Sequence, residues 1–171
     1  GDEGSFQKFV PEAKAGIELA HDELSAYDEE VLKLWLFDYI IWNTDRHKGN
    51  FLAGTNADKR RVHAIDNGLS FGPDTRDYLN IKDEDTGKQY YNRFYDMAIP
   101  EQFQERIRAF LSSPERVRRL EKLLDRYVGE AEAEACVSRI RRVAAWAEQG
   151  KVGSERMAEM RMAYQGETID A

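Results

Sequence analysis

From Val31 to Trp42 the chain is apolar at almost every position, interrupted only by Lys33 and Asp38. A helix that is apolar on all sides is a central one, covered by neighbours all round. The pattern therefore predicts a core helix over 29–42. Asp28 is its expected N-cap, with Glu29 and Glu30 in the first turn, where negative charge is favoured. The pattern then breaks: from Asn43 to Asn50 the chain is polar or glycine, and apolar character returns at Phe51 and Leu52. Two short strand-like pieces, "FLAG" and "RVHAI", flank the turn residues of "TNADKR" and predict a β-hairpin. A second polar loop, Asp66-Asn67-Gly68, follows directly, with Gly68 expected to make the sharp turn.

The flanks are helical in pattern. Upstream, "GSFQKFV" reads as a strand or an extended connector. Pro11 then suits the first turn of a helix over "PEAKAGIELAHDEL", with Ile17, Leu19 and Leu24 inward. The stretch 67–99 is irregular, holding Gly68, Gly72, Pro73, Gly87 and several aromatics. A connection of that length is usually functional. Helices follow over 100–112 (Phe103, Ile107, Phe110 and Leu111 inward) and 114–128 (Val117, Leu120, Leu124 and Tyr127). Others are expected over 130–148 (Val137, Ile140, Val143, Ala144 and Ala147) and, more weakly, 154–164. Ser113 before Pro114 makes a cap and first-turn pair. The fold class is mostly α with a small β-hairpin.

Composition narrows the partners. The 171 residues suit one domain, with 42% hydrophobic residues for a core and 33% charged residues for a solvated surface. No run of eighteen apolar residues is present, so no transmembrane segment is expected. The net charge of −7 disfavours nucleic acid and anionic membrane as bulk electrostatic partners. The arginines of "RVRRLEKLLDR" and "SRIRRVAAW" read as solvated helix faces. Cys136, the sole cysteine, reads as a small core residue. His21 and His63 read as structural, and no zinc-type ligand spacing exists. No signal peptide is visible and the chain opens on Gly1. A cytoplasmic protein is expected, with a secreted effector as the alternative.

The loops carry the chemistry. Asp45 and Asn50 form the pattern D-x-x-x-x-N, and Asp66 begins the second loop. Two carboxylates and an amide oxygen are hard ligands suited to Mg²⁺, which takes one or two carboxylates and fills its other positions with water and substrate phosphates. A carboxylate five residues before an amide ligand can point at a hydroxyl while the amide holds the metal, the division of labour of a kinase catalytic loop. Each residue alone has a plainer use. Asp66-Asn67-Gly68 is the composition of a hairpin turn, Asn50 can close a turn, and Asp45 or Thr44 can cap a helix. His47 alone is a solvated histidine. The order and spacing of both loops around one hairpin favour the joint reading.

Together, "DYIIWNTDRHKGNFL" and "AIDNGLSFG" resemble the catalytic core of the phosphoinositide 3-/4-kinase family, the type II phosphoinositide 4-kinases above all. They are also similar, more distantly, to the secretory-pathway kinases of the Golgi casein kinase type. The resemblance covers roughly 4–71 and implies the C-terminal lobe of a protein-kinase-like fold. It places the hinge and the end of the N-lobe at 1–10 and the C-lobe at 11–171. Within the lobe it implies a catalytic loop at 43–52, a metal loop at 65–71, an activation-like segment at 72–99 and a helical remainder at 100–171. It implies ATP and Mg²⁺ (or Mn²⁺) as cofactors. Asp45 is then the carboxylate facing the acceptor hydroxyl, Asn50 and Asp66 the metal ligands, and His47 a group near the γ-phosphate. Lys48 is placed at phosphate, Phe9 and Val10 along the adenine site, and Leu52 and Ile65 on its apolar floor. Arg46 is expected to brace the loop.

Two parts of a kinase are not visible: a lysine for the α- and β-phosphates and a glycine-rich cover. Gly1-Asp2-Glu3-Gly4-Ser5 lacks the spacing of such a loop. The chain is therefore expected to begin near the hinge, to lack the N-terminal lobe, and to transfer no phosphate alone. ATP turnover by the purified 171-residue chain would overturn that expectation. In "GPDTRDYLNIKDEDTGKQ" the acidic residues outnumber Arg76, Lys82 and Lys88, which disfavours a phosphorylated inositol and an anionic bilayer. A protein hydroxyl is favoured slightly over a phosphoinositide lipid. The alternatives are a nucleotide-binding pseudokinase serving as an interaction module, and a kinase-fold enzyme that transfers AMP.

Overall fold

The computed structural model describes residues 9–55, 60–76 and 94–153, together with residue 158. The expected extended stretch at 4–10 and the helix at 154–164 lie almost wholly outside the described residues, as do 77–93. Three antiparallel strands, β1 (Ala13–Ala15), β2 (Phe51–Gly54) and β3 (Val62–Ala64), form one sheet in the order β1-β2-β3. Among the described residues five α-helices accompany it: α1 (His21–Ser25), α2 (Asp28–Ile41), α3 (Glu101–Leu111), α4 (Pro114–Tyr127) and α5 (Glu130–Glu148).

Helix α2 is the central post that its apolar pattern predicts, covered on all sides but that of Phe37, which is 43% exposed. Leu34 packs with Leu24 and Phe51 under the sheet. Leu32, Trp35, Leu36 and Tyr39 pack against Ile107 of α3 and Val143, Ala144, Trp146 and Ala147 of α5. Ile40 reaches a third cluster made by Leu124, Ala133, Cys136 and Ile140 of α4 and α5. The rings of Trp35, Tyr39 and Trp146 lie 5.0–6.2 Å apart, centroid to centroid, a range in which aromatic pairs add to simple area burial. Cys136 is buried, as a small core residue should be.

The helix begins one residue earlier than expected. Asp28 is its first helical residue, and Tyr27 stands at the N-cap without a side-chain capping bond. Tyr27 instead donates from its hydroxyl to the Gly54 carbonyl at 2.7 Å, tying the helix start to β2. Ser113 does cap α4, accepting from the Arg116 amide.

Three other expectations fail for identifiable reasons. The segment 11–24 is not one helix. Residues 13–15 pair instead with β2, in the register Ala13↔Gly54, Lys14↔Ala53 and Ala15↔Leu52. A free strand edge is a stronger demand than the modest helix preference of alanine and lysine. The strand then leaves through Gly16, where a Cβ would fall 2.1 Å from the Phe51 ring. In consequence Ile17 is 62% exposed rather than inward, while Leu24 is buried. Tyr127, at the last turn of α4, is likewise exposed, with the Arg126 guanidinium 5.6 Å from its ring centre. The third is Arg139, which is fully buried rather than on a solvated face.

Candidate active site

Helix α2 aims the polar loop 43–50 through its own ending. Trp42 adopts left-handed backbone angles (φ 56°, ψ 51°), and its amide donates back to the Asp38 and Tyr39 carbonyls. The Asn43 amide also donates to the Asp38 carbonyl, at 2.9 Å. This is the hydrogen-bond pattern of a Schellman ending, where glycine is usual. A tryptophan there costs about 1–2 kcal/mol in backbone strain. Its buried ring offsets that, packing on Tyr39 with Arg76 and Arg139 each 5.4 Å from its centre.

The polar loop that follows is held by one buried cation. Arg46 is 7% exposed and donates twice to the Asp38 carboxylate, Nε to Oδ2 at 2.9 Å and Nη2 to Oδ1 at 3.0 Å. Its Nη1 donates to the carbonyls of Asn50 and Ile65, and its Nη2 donates to the Asn67 side-chain oxygen. One guanidinium thus fixes Asn50 in the first loop and both neighbours of Asp66 in the second. Buried Asn43 completes the brace. Its Nδ2 donates to Asp38 at 3.3 Å, and its Oδ1 accepts from the Asp45 amide at 3.0 Å. Burial raises the Asp38 carboxyl above the ordinary aspartate range, against the opposing pull of Arg46 and Asn43.

Backbone bonds then join the loops directly. Ile65 donates to the Asn50 carbonyl at 3.1 Å, and Thr44 to the Leu69 carbonyl at 3.2 Å. Since Phe51 pairs with Ala64, Asn50 and Ile65 leave the hairpin at the same end. Asn50 is buried and donates through Nδ2 to the Asp45 carbonyl at 2.9 Å, a bond that does not use its side-chain oxygen. Asp66 is exposed, with φ 51°. In the Asp66-Asn67-Gly68 turn the left-handed residue is therefore Asp66 itself and not Gly68, whose φ is ordinary. Aspartate tolerates that conformation better than most side chains.

The other expected residues divide. Asp45 is exposed beside Thr44. His47 opens the short 3-10 turn Lys48–Asn50, and its Nδ1 accepts from the Gly49 amide at 3.0 Å. A nitrogen that accepts carries no hydrogen, so the neutral ring holds its proton on Nε2. Lys48 is half-buried in the same turn. Leu52 faces away from the core, across from Ala15 and His63. Ile65 and Val10 are half-buried, and Phe9 is 83% exposed, not yet part of a pocket wall. Exposed Ile17 belongs to the 3-10 turn Gly16–Glu18, and the glycine of that turn abuts the Lys48 carbonyl. Sequence reasoning passed over Asp38, Asn43 and Asn67. A lone aspartate in an apolar helix was the available signal, because a buried charge demands a partner.

Among the described residues no cluster of three or more His, Cys, Asp or Glu side chains forms a metal site. The donors present are instead one carboxylate and one amide oxygen on adjoining loops. That set fits Mg²⁺, which binds proteins through few ligands. The family model for phosphatidylinositol 3- and 4-kinases matches residues 2–130. The chain belongs to the phosphatidylinositol 3- and 4-kinase family. Its mostly helical architecture with a small antiparallel sheet is the C-terminal lobe of that kinase-like fold. Among solved structures, the crystal structure of a Helicobacter pylori proinflammatory kinase, CtkA, is similar at 17% identity with a TM-score of 0.35. The match takes in 84% of this chain and 59% of that one, so the chain spans about three fifths of the kinase's length. No curated protein matches it. Among the described residues no helix is long and apolar enough to cross a membrane.

Proposed function

We propose that this lobe serves Mg²⁺-dependent transfer of the ATP γ-phosphate to a hydroxyl group. The observation that supports the reading is the Arg46 brace, which bonds the Asn50 and Ile65 carbonyls and the Asn67 side chain and so joins the loop of Asp45 and Asn50 to the loop of Asp66. In the proposed step the acceptor oxygen bonds to the γ-phosphorus, and the bond from that phosphorus to the β,γ-bridging oxygen breaks. The acceptor proton passes to the Asp45 carboxylate, and ADP leaves. Asn50 and Asp66 hold the metal, which when bound neutralises phosphate charge. His47 Nε2–H and Lys48 supply donors toward the phosphates. Leu52 and Ile65, with Phe9 and Val10, provide the apolar lower wall for adenine.

A protein hydroxyl suits the site better than a phosphoinositide. Arg76, the basic residue nearest the metal loop on its C-terminal side, is already engaged. It binds the Asp74 carboxylate through Nε at 2.7 Å and stacks over Trp42. Burial alone would raise the Asp74 carboxyl, but the side-chain and backbone bonds from Arg76 hold it below the ordinary range. A head-group phosphate would have to compete with that carboxylate for Arg76.

Replacing Asp66 by alanine removes the one carboxylate among the proposed ligands. Mn²⁺ affinity, read by water-proton relaxation, should fall at least about tenfold, while stability drops by only about 1–2 kcal/mol, the cost of alanine at the left-handed φ of this residue. Unchanged affinity would sink the ligand assignment. Mass spectrometry of modified targets reads the chemistry itself, through the mass added: a phosphate supports the proposal, and AMP replaces it with nucleotidyl transfer.

A further inference from the structure

The segment that leaves the metal loop is gripped from outside the family-matched residues, which end at 130. Arg139, on α5, is fully buried. Its Nε donates to the Ile40 carbonyl in the last turn of α2, at 2.9 Å. Its Nη1 donates to the carbonyls of Gly72, at 3.1 Å, and Asp74. One turn along α5, Arg142 donates to the Thr75 carbonyl at 2.7 Å. The Tyr39 hydroxyl donates to the Arg76 carbonyl at 2.9 Å. Four carbonyls within five residues are thus held by side chains of α2 and α5. Among the described residues, 71–76 belong to no strand or helix, so these carbonyls draw their donors from side chains.

The grip reaches the site in a short span. Phe71 has φ 66°, and its amide donates to the Ile41 carbonyl at 2.5 Å. Asp66 lies five residues before Phe71, and the catalytic loop begins two residues after Ile41. Trp42, which turns the chain from α2 into that loop, has the guanidinium groups of Arg76 and Arg139 each 5.4 Å from its ring centre. Close packing adds specificity, because a Cβ on Gly72 would fall 2.8 Å from the Trp42 ring. A guanidinium is the side chain for this work. It presents several fixed donors in one plane, whereas lysine offers a single point charge.

We infer that Arg139 is a positioning residue of the site, anchoring the far end of the metal loop to the end of α2 so that Asp66 meets Asn50 at a fixed distance. The inference rests on the phosphotransfer reading for its consequence, the metal affinity, but not for the anchoring itself. The two parts are therefore tested separately, on the 171-residue chain. Substituting Arg139→Met should speed hydrogen exchange at the Phe71 amide about tenfold or more while amides of α3 and α4 keep their rates. Mn²⁺ affinity should fall about 10–100-fold, as when a group supporting a metal ligand is lost. Arg139→Lys should recover only part of both. Unchanged exchange at Phe71 would overturn the anchoring, and unchanged Mn²⁺ affinity beside faster exchange would overturn its role in the site. Parent chain that binds no Mn²⁺ would instead overturn the metal reading, with the exchange result still deciding the anchor. If Arg139→Met does not fold, Arg142→Ala and Tyr39→Phe remove the holders of Thr75 and Arg76 singly. Faster exchange confined to 71–76 then supports the anchor, and parental rates there reject it.

Discussion

Replacing Asp38 by alanine should destabilise the protein by about 3–5 kcal/mol, the cost of leaving the partner of a buried ion pair uncompensated. The side chain is fully buried and takes both donors of the Arg46 fork. Without it, a 7% exposed guanidinium keeps its charge among carbonyl and amide oxygens only. For a chain of this size the loss should lower the melting temperature by roughly 10 °C. A urea or thermal unfolding series reads it directly. The matched double substitution, Asp38→Leu with Arg46→Met, should recover much of the stability, since apolar groups of similar volume often replace a buried pair without loss. It should not recover Mn²⁺ binding, because Asn50, Ile65 and Asn67 lose the common donor that aligns them. That split separates a pair kept for the fold from a pair kept for the site. A cost under about 1 kcal/mol for Asp38→Ala, the scale of a surface pair, would show that the brace lies elsewhere.

The same residues show what the sequence can and cannot disclose. Helix α2 was legible because apolarity on every side has one meaning, and its three surrounding clusters supply that meaning. That the two loops adjoin was legible because they stand at the two ends of one predicted hairpin. Strand β1 was not legible. Alanines, a lysine and a glutamate favour a helix locally, and only the edge of β2, some forty residues on, makes a strand there. Arg139 was hidden for a related reason. In sequence it is one of several arginines on a helix, and its acceptors lie 65 to 99 residues away. Local pattern sees periodicity and residue type, whereas a buried cation is identified by what it meets after the chain has folded. Asp38 stood between these cases: the charge was visible in the apolar run, and its partner eight residues later was not.

Substituting Asp45→Asn should lower phosphate transfer by about 10²–10⁴-fold in the form of the protein that turns over ATP, the usual contribution of a positioned general base. That range corresponds to roughly 3–5 kcal/mol of transition-state stabilisation. The substitution is unusually clean here. Both bonds that Asp45 makes within the loop use its backbone, its N–H donating to Asn43 Oδ1 and its carbonyl accepting from Asn50 Nδ2. Neither uses the carboxylate, which is exposed. The variant should therefore melt with the parent and bind Mn²⁺ and ATP as the parent does, because Asn50 and Asp66 keep their supports. Only the group that takes the acceptor proton is changed. A large loss of turnover with KM for ATP unchanged is the expected result. A rate within about threefold of the parent, under 1 kcal/mol, would remove Asp45 from the proposed chemistry. It would leave Arg46, Asn50 and Asp66 as a metal-holding frame that serves some other reaction.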